Sequence, residues 1–162
     1  IVIYTTTDYK EAIALSDRII AMHYGEIKQI GTYDELYSCP ESIWAAESVD
    51  PEYNFEKVQL KDVGGLKLVF GEYEAEAECL RGKFDESFIG KEIYAGWHST
   101  DFDPDSPRKE PVTKAIRKKH SYLLYAGDKK IRNEIKTETV STLPDIKKVI
   151  LYDFLSENSI MK

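Results

Sequence analysis

The pattern of apolar and polar residues over the first 22 positions predicts a short α/β segment. The run Ile1–Thr5, of β-branched residues and one tyrosine, predicts a strand, and the carboxylate of Asp8 is suited to cap a helix. Glu11 follows three residues later, as in a capping box, and the helical spacing ends near Asp17. The apolar run Ile19–Met22 predicts a buried strand.

The next positions predict a hairpin and a second helix. Gly25 permits a tight turn into a strand around Ile27 and Ile30. Thr32 and Glu35 repeat the capping-box spacing and therefore predict a helix start. The expected order is strand, helix, strand, strand, helix, a βαββα segment.

A change of pattern near Asn54 predicts a domain boundary. Pro40 suits the first position of another short surface helix. Residues 48–55 read as a linker, because the residue before Pro51 is disfavoured in helical conformation. The sequence thus predicts one unit over residues 1–54 and a second over residues 55–162.

The second unit alternates apolar and polar residues with a period of two, which is typical of half-buried strands. Gly64-Gly65 predicts a turn between the first two strands, and Gly127-Asp128 predicts a later hairpin turn. The expected fold class is mainly β with an α/β amino-terminal part, the second unit being a small antiparallel OB-like barrel or sandwich. Strands are expected at Val58–Leu60, Leu66–Phe70, Glu72–Glu78, Glu92–Trp97, Val112–Ile116, Ser121–Tyr125, Lys130–Thr139 and Lys148–Phe154.

Composition narrows the function classes. Lys and Arg number 22 against 29 Asp and Glu, a formal charge of −7, which argues against binding a nucleic-acid backbone or an anionic membrane. Cys39 and Cys79 are isolated, which disfavours a disulfide framework or a zinc site and indicates a reducing cytoplasm. No apolar run approaches the ~20 residues that cross a bilayer, so direct membrane insertion is not expected.

Three polar stretches are candidate functional sites, and each of them also has a purely structural explanation. His98 beside Ser99 suggests a hydrolase, but neighbours on a strand point to opposite faces, which favours a polar loop end. The loop Asp101–Asp105 begins like a calcium loop, yet Ser106 replaces the required glycine, which favours a solvated turn. The basic run 117–120 favours a solvated face. A small anion or sugar is the alternative there, with His98 and Lys118 as candidate ligand-binding residues.

One long motif in the first part resembles a known family. The run T-T-D-x-x-E-A-x-x-L-x-D-R-I-x-x-M-x-x-G-x-I-x-Q-I-G-T-x-x-E-L-Y-x-x-P, from Thr6 to Pro40, is similar to the end of the ATP-binding subunit of ABC importers for sugars, glycerol phosphate or polyamines. A weaker resemblance follows, since Gly90–Trp97 is similar to a strand of the OB-like (TOBE-type) regulatory domain of that family. Where the family continues with Arg-Pro-Glu, this chain has His98, Ser99 and Thr100.

Two departures from the family concern nucleotide chemistry. Thr7 stands where the family has a switch histidine, and a hydroxyl has no ring nitrogen to sense the γ-phosphate. Neither G-x-x-x-x-G-K-[ST] nor L-S-G-G-Q occurs in the chain. The resemblance therefore implies that ATP and Mg²⁺ belong to a longer parent subunit, with Thr7 and Asp8 at one edge of its site. For this piece itself, neither a cofactor nor catalysis is expected.

The resemblance implies a carboxy-terminal regulatory and dimerisation portion of an importer subunit for a sugar or related solute. Its expected partners are membrane-spanning permease subunits and a second copy, at the cytoplasmic face of the cell membrane. Without neighbouring strands, Ile1–Thr5 is expected to be disordered or to pair with another copy. The alternative is an independent OB-like module that senses a small solute or oxyanion. A nucleic-acid-binding OB domain is a third possibility, which the acidic charge disfavours.

Overall fold

The computed structural model describes residues 1–162, and strands make up 41% of the chain against 18% for helices. The expected mainly β fold class is confirmed; the strands form several antiparallel sheets and no closed barrel. The helices are α1 (Tyr9–Leu15), α2 (Tyr33–Ser38) and α3 (Ile43–Val49). The strands are β1 (Ile19–His23), β2 (Glu26–Gly31), β3 (Asn54–Asp62), β4 (Leu66–Phe70), β5 (Tyr73–Glu76), β6 (Glu92–Trp97), β7 (Lys109–Pro111), β8 (Lys114–Arg117), β9 (Tyr122–Ala126), β10 (Lys129–Asn133), β11 (Thr139–Ser141) and β12 (Ile150–Asp153).

The predicted hairpin and second capping box are both present. Strands β1 and β2 pair in antiparallel orientation, and Gly25 has a φ of 82°, in the left-handed region that favours glycine. Thr32 Oγ1 accepts from the Glu35 backbone at 3.3 Å, while the Glu35 carboxylate accepts from the Thr32 backbone at 2.8 Å. The start of α2 was therefore predictable from residue spacing alone.

Three local predictions in this region are wrong. Ile1–Thr5 lies outside any helix or strand and is exposed, because no neighbouring strand supplies hydrogen-bonding partners. Strand β1 is buried on one face only, since Ala21 is 4% exposed and Ile20 is 49% exposed. Asp8 does cap α1, accepting from the Lys10 backbone at 2.8 Å. No capping box forms there, because the Glu11 carboxylate accepts from the Tyr4 and Thr6 hydroxyls instead.

The main core lies under a five-stranded antiparallel sheet with the order β12-β6-β3-β4-β5. Fifteen buried residues form this core, among them Leu60, Leu68, Ile93 and Leu151, each fully buried at alternate strand positions. Burial on one face follows the period of two from which β3, β4 and β6 were predicted. The β3–β4 hairpin is confirmed, and the strand expected over Glu72–Glu78 is present as β5.

A second layer consists of the three-stranded sheet β10-β9-β8 and the two-stranded sheet β11-β7. The hairpin at Gly127-Asp128 joins β9 to β10 as predicted. The single strand expected over Lys130–Thr139 is wrong, because the chain leaves β10 after Asn133 and re-enters a sheet only at β11. The strand expected over Val112–Ile116 is displaced to Lys114–Arg117.

Helix α3 connects the amino-terminal part to the main sheet and is not a surface helix. It begins after Ser42, whose hydroxyl accepts from the Ala45 backbone at 3.2 Å, so Pro40 lies outside the helix. Ile43, Ala45, Ala46 and Val49 are buried. The expected linker over residues 48–55 is largely replaced by the end of α3, a short turn and the start of β3.

Helix α3 contributes to two apolar clusters through two of its faces. Ala45 and Val49 pack with Ala21 and Leu36 of the hairpin and α2. Ile43 and Ala46 pack instead with Tyr53 and Tyr152 beside the main sheet. The helix therefore shares its surface between the two parts of the chain, whose division near Asn54 stays a prediction. No helix of the structure combines the length and apolar character needed to cross a membrane.

The close packing around Gly96 in β6 allows the junction between α3 and the main sheet to be tested. A Cβ atom at Gly96 would lie 2.7 Å from ring carbons of both Tyr53 and Tyr152. We therefore expect Gly96→Ala to lower the free energy of unfolding by about 1–3 kcal/mol, the usual cost of overpacking. Chemical denaturation measures this loss.

The control is Glu92→Ala, at an exposed position on the same strand, where we expect a change within about 0.5 kcal/mol. Equal stability of the Gly96→Ala variant and the unchanged chain would contradict the packing described for Tyr53 and Tyr152.

Candidate functional site

The residues singled out from the sequence lie in three separate places. Thr7 and Asp8 lie at the start of α1, where Thr7 is exposed. His98 follows β6 and is buried, whereas Lys118 follows β8 on the second layer. The structure therefore does not bring Thr7, His98 and Lys118 into one site.

His98 occupies the junction between α2, α3 and the main sheet. Its side chain lies with Nδ1 2.6 Å from a carboxylate oxygen of Asp50, the residue that ends α3. Its Nε2 lies 2.8 Å from the backbone carbonyl oxygen of Tyr37 in α2. The imidazole is only 7% exposed. Both ring nitrogens are thus already engaged, so a ligand at His98 would have to displace these contacts; ligand binding there stays a prediction.

Aromatic rings enclose His98. Tyr37 stacks on the imidazole with ring centroids 3.7 Å apart, and Tyr53 meets it edge-on at 4.6 Å. The Tyr53 hydroxyl lies 3.3 Å from that of Tyr152, which is also buried. Burial is the largest cause that raises the pKa of all three phenols, to about 12 for Tyr37.

Lys118 belongs to a small charged group that we call the Glu52 cluster: Glu52, Ser99, Lys118, Ser121 and Arg132. Glu52 Oε1 lies 3.3 Å from Lys118 Nζ, and Glu52 Oε2 binds Arg132. The Ser99 hydroxyl donates to Glu52 Oε2 at 3.3 Å. A carboxylate already lies between the two cations, so an incoming anion would compete with Glu52. Anion binding at Lys118 stays a prediction.

Sequence patterns gave no indication of a buried charge network between the two β layers. Lys129 is 2% exposed, and its ammonium lies 3.4 Å from Glu56 Oε2 and 5.9 Å from the ring centre of Trp97. Arg108 Nη1 donates to the other oxygen of Glu56 at 2.7 Å. Glu56 belongs to the main sheet, whereas Arg108 and Lys129 come from the second layer. Lys129 Nζ also lies 2.6 Å from the carboxylate of Asp128, and Arg108 Nε lies 3.2 Å from that of Glu110, so each cation has two carboxylate partners. The pairing across the two layers indicates a structural role.

In the acidic loop after His98, the carboxylates of Asp101 and Asp103 form contacts within the chain. Asp101 Oδ1 lies 2.7 Å from Lys148 Nζ, and Asp103 Oδ1 accepts from the Asp105 backbone at 2.9 Å. Nowhere in the chain are three or more His, Cys, Asp or Glu side chains grouped to hold a metal ion. Two shallow surface depressions of about 280 and 360 Å³ lie elsewhere, and neither is lined by Thr7, His98 or Lys118.

The residues present fit only one edge of a nucleotide site. The exposed Thr7 hydroxyl could donate to a phosphate oxygen. The Asp8 carboxylate is occupied as the cap of α1, and its charge would repel phosphate. The loop of backbone N–H groups and the lysine that cradle phosphates are not in the sequence. Any bound ATP would therefore be held by other residues.

Comparison with known proteins gives relatives of one kind, whereas no protein-family model matches the chain. The chain is 32% identical over 105 residues to the sulfoquinovosyl glycerol transport ATP-binding protein SmoE of Agrobacterium fabrum, a match covering 64% of this chain and 28% of SmoE. It is 35% identical over 106 residues to the spermidine/putrescine import ATP-binding protein PotA of Spiroplasma citri, covering 58% of this chain and 30% of PotA. It is 35% identical over 99 residues to the oligosaccharides import ATP-binding protein MsmX of Bacillus subtilis, covering 58% and 26%.

These relatives confirm the resemblance to import ATP-binding proteins over about 60% of the chain. The matched part spans less than a third of the length of SmoE, PotA or MsmX. The comparison thus supports a common origin with transport ATP-binding proteins for sugars and polyamines, and it leaves the role of this portion to be proposed.

The buried phenols at this junction predict a loss of stability at alkaline pH. An exposed tyrosine ionises near pH 10, whereas the pKa of Tyr37, Tyr53 and Tyr152 is raised in the folded chain. The folded state holds these protons more tightly, so this stabilisation is complete below about pH 10 and is lost as pH rises through the folded-state values. We expect a late phase in the tyrosinate absorbance, coincident with unfolding.

The matched variants are Tyr53→Phe and Tyr24→Phe, since Tyr24 is 95% exposed. Tyr53→Phe should reduce the late phase, and Tyr24→Phe should leave its amplitude unchanged. If all the tyrosines ionise together before any unfolding, the burial described here is contradicted.

Proposed function

We propose that this chain is the carboxy-terminal portion of the ATP-binding subunit of an ABC importer. Residues 1–54 would complete the nucleotide-binding domain, and residues 55–162 would form an OB-like, TOBE-type regulatory domain. Support comes from the relatives, from the motif between Thr6 and Pro40, and from the mainly β second part.

The exposed apolar face of the β1–β2 hairpin is the structural observation that carries the proposal. Ile20 pairs with Ile30 and Met22 with Ile27 across the two strands, so all four side chains lie on one face. They are 47–60% exposed, while the opposite face packs on α3 through Ala21. A contiguous apolar patch of this kind marks an interface. The remainder of a nucleotide-binding domain is the partner that we infer for it.

The proposed regulatory role rests on the resemblance of Gly90–Trp97 to a strand of the TOBE-type regulatory domain. The conspicuous polar groups of the second part, the Glu52 cluster and the Glu56–Arg108–Lys129 network, are internally paired and positioned to hold the layers together. On that resemblance we assign this part to regulation and dimer contacts. The parent subunit would work with membrane-spanning permeases at the cytoplasmic face of the membrane. Its solute would be a sugar or related compound, as in the names of SmoE and MsmX.

The coding sequence upstream of Ile1 tests this proposal directly. We expect the same reading frame to encode a G-x-x-x-x-G-K-[ST] phosphate loop followed by an L-S-G-G-Q signature, because the exposed hairpin face needs a nucleotide-binding domain to cover it. A natural polypeptide that begins at or shortly before Ile1 would overturn the proposal.

Thr7 predicts weak hydrolysis in the natural full-length polypeptide. A hydroxyl can donate one hydrogen bond but cannot carry a positive charge toward the γ-phosphate. We expect Thr7→His to raise the ATP hydrolysis rate on the order of tenfold or more, since single contacts to transition-state charge have effects of this size. Steady-state phosphate release measures it.

The control for that experiment is Thr5→His, two residues away and also exposed, where we expect no change. Equal rates for Thr7→His and the unchanged polypeptide would contradict the assignment of Thr7 to the switch position.

A further inference from the structure

Two strands of the structure lie at the edge of a sheet and have no partner strand on their second side. Strand β5 is the last strand of the main sheet, and β8 is the last strand of the three-stranded sheet. The edge of a sheet presents backbone N–H and C=O groups that a further strand can bond. Both strands are therefore open to the addition of another strand.

The hydrogen bonds of each strand show which of its residues face the open side. In an antiparallel pair, residues that bond the neighbouring strand alternate with residues that point away from it. The Ala77 N–H bonds a carbonyl oxygen of β4 at 2.8 Å, so the backbone groups of Glu74 point away from β4. The Lys118 N–H bonds the Ser121 carbonyl oxygen at 2.8 Å beside β9, so the backbone groups of Arg117 point away from β9.

The two open edges carry opposite charges. Residues 72–78, around β5, contain four glutamates and no lysine or arginine. Residues 111–127, around β8, contain three lysines, one arginine and no carboxylate, in a chain whose formal charge is −7. Like charges that face each other across two strands are destabilising, whereas opposite charges are stabilising. The charges thus oppose the pairing of either edge with its own copy and favour the pairing of β5 with β8.

These charges are only partly neutralised within the chain. Glu74 and Glu76 share a single cation, Lys67, whose ammonium lies 3.1 and 3.6 Å from their carboxylates. Among the cations near β8, Lys118 is paired with Glu52 at 3.3 Å. The other three are exposed and have no carboxylate partner in the chain: Lys114, Arg117 and Lys119. A surplus of negative charge therefore remains at β5, and a surplus of positive charge remains at β8.

We propose that β5 of one copy of this chain adds to β8 of a second copy as an antiparallel pair, with Glu74 opposite Arg117 and Ala75 opposite Ile116. The contact identifies the strands behind the dimer contacts assigned to this part, and to that extent it rests on the proposed function. It joins unlike surfaces, so it either forms twice within a closed pair or continues to further copies.

Sedimentation of the full chain measures this association. We expect the mean mass to rise with concentration and to fall at high salt, which screens exposed charges. Glu72→Lys with Glu76→Lys leaves Glu74 in place and should weaken the association on the order of tenfold or more, because like charges then face each other. Arg117→Glu with Lys119→Glu should have the same effect. A chain that stays monomeric up to about 1 mM overturns the proposal.

Restoration of opposite charge distinguishes this contact from other kinds of self-association. A mixture of the two double variants should associate again, and so should the chain that carries all four changes. The control is Glu86→Lys with Lys147→Glu, at two exposed positions outside both edges, where we expect no change. Association through the apolar hairpin face would not respond to the charges of β5 and β8. An association that the charge reversals leave unchanged therefore overturns the proposal.

Disulfide trapping tests the register and does not depend on the charge variants. Positions 75 and 116 would form a non-hydrogen-bonded pair, whose Cα atoms lie about 4.5 Å apart, within the span of a disulfide. In a background of Cys39→Ser and Cys79→Ser, oxidation of the variant Ala75→Cys with Ile116→Cys should join position 75 of one copy to position 116 of another. Peptide mass spectrometry identifies the link.

Links between two copies of the same position, or no link between copies, would overturn the proposed register. These measurements use the chain by itself, whereas the proposed function is tested on the coding sequence upstream of Ile1. A failure of the β5–β8 contact would leave the expected phosphate loop untouched, so the two proposals fail separately.

Discussion

The structure depends on the burial of α3 from two sides. A helix of seven residues is too short to persist alone in water, so its stability comes from packing. Ala45 and Val49 supply one apolar face to the hairpin and α2, and Ile43 and Ala46 supply another to Tyr53 and Tyr152. The apolar surface of α3 is therefore wide, and only Glu47 and Ser48 of the helix are exposed. Neither part of the chain can lose α3 without exposing apolar surface.

Polar contacts determine the orientation of α3 relative to the main sheet, which apolar packing alone does not specify. Besides the His98 contacts, the indole of Trp44 in α3 donates to Glu157 at 2.7 Å, and the Ile43 backbone donates to the Glu157 carbonyl at 3.0 Å. The chain after β12 thereby returns to the start of α3. Apolar contacts are not directional, whereas these hydrogen bonds specify the angle at which the helix meets the sheet. The helix is consequently held at both ends, by Glu157 at its start and by His98 at its end.

Local sequence patterns correctly predicted the elements that interactions between residues close in sequence determine. The β3–β4 hairpin followed from alternation around Gly64-Gly65, and α2 followed from the Thr32–Glu35 capping box. The strand predicted at Ile1–Thr5 does not form, because a strand needs partners, and the β propensity of a run says nothing about whether they are present. The displacement of α3 from Pro40 to Ser42 shows the same limit, since both residues are suited to a helix start and packing decides between them.

The candidate site could not be predicted in the same way. His98 was found as a polar residue at the end of a strand, but its partners Asp50 and Tyr37 lie in elements that sequence reasoning placed in a linker and on a surface helix. Long-range pairs of this kind depend on the tertiary arrangement and leave no periodic signal. Lys129 is the clearer case, because a lysine beside a predicted turn is expected in solvent, and it is instead 2% exposed beside Glu56.

The two faces of the β1–β2 hairpin are both apolar but differ in exposure. Ala21 is buried against α3, while its neighbours Ile20 and Met22 on the other face are 49% and 60% exposed. A strand that is apolar on both faces is typical of a sheet covered on both sides, as in α/β domains. A free-standing module would have to cover this open face with another protein or with a second copy of itself. The composition of the hairpin is explained when that face belongs to a larger layered domain, and this favours an importer subunit over a free-standing module.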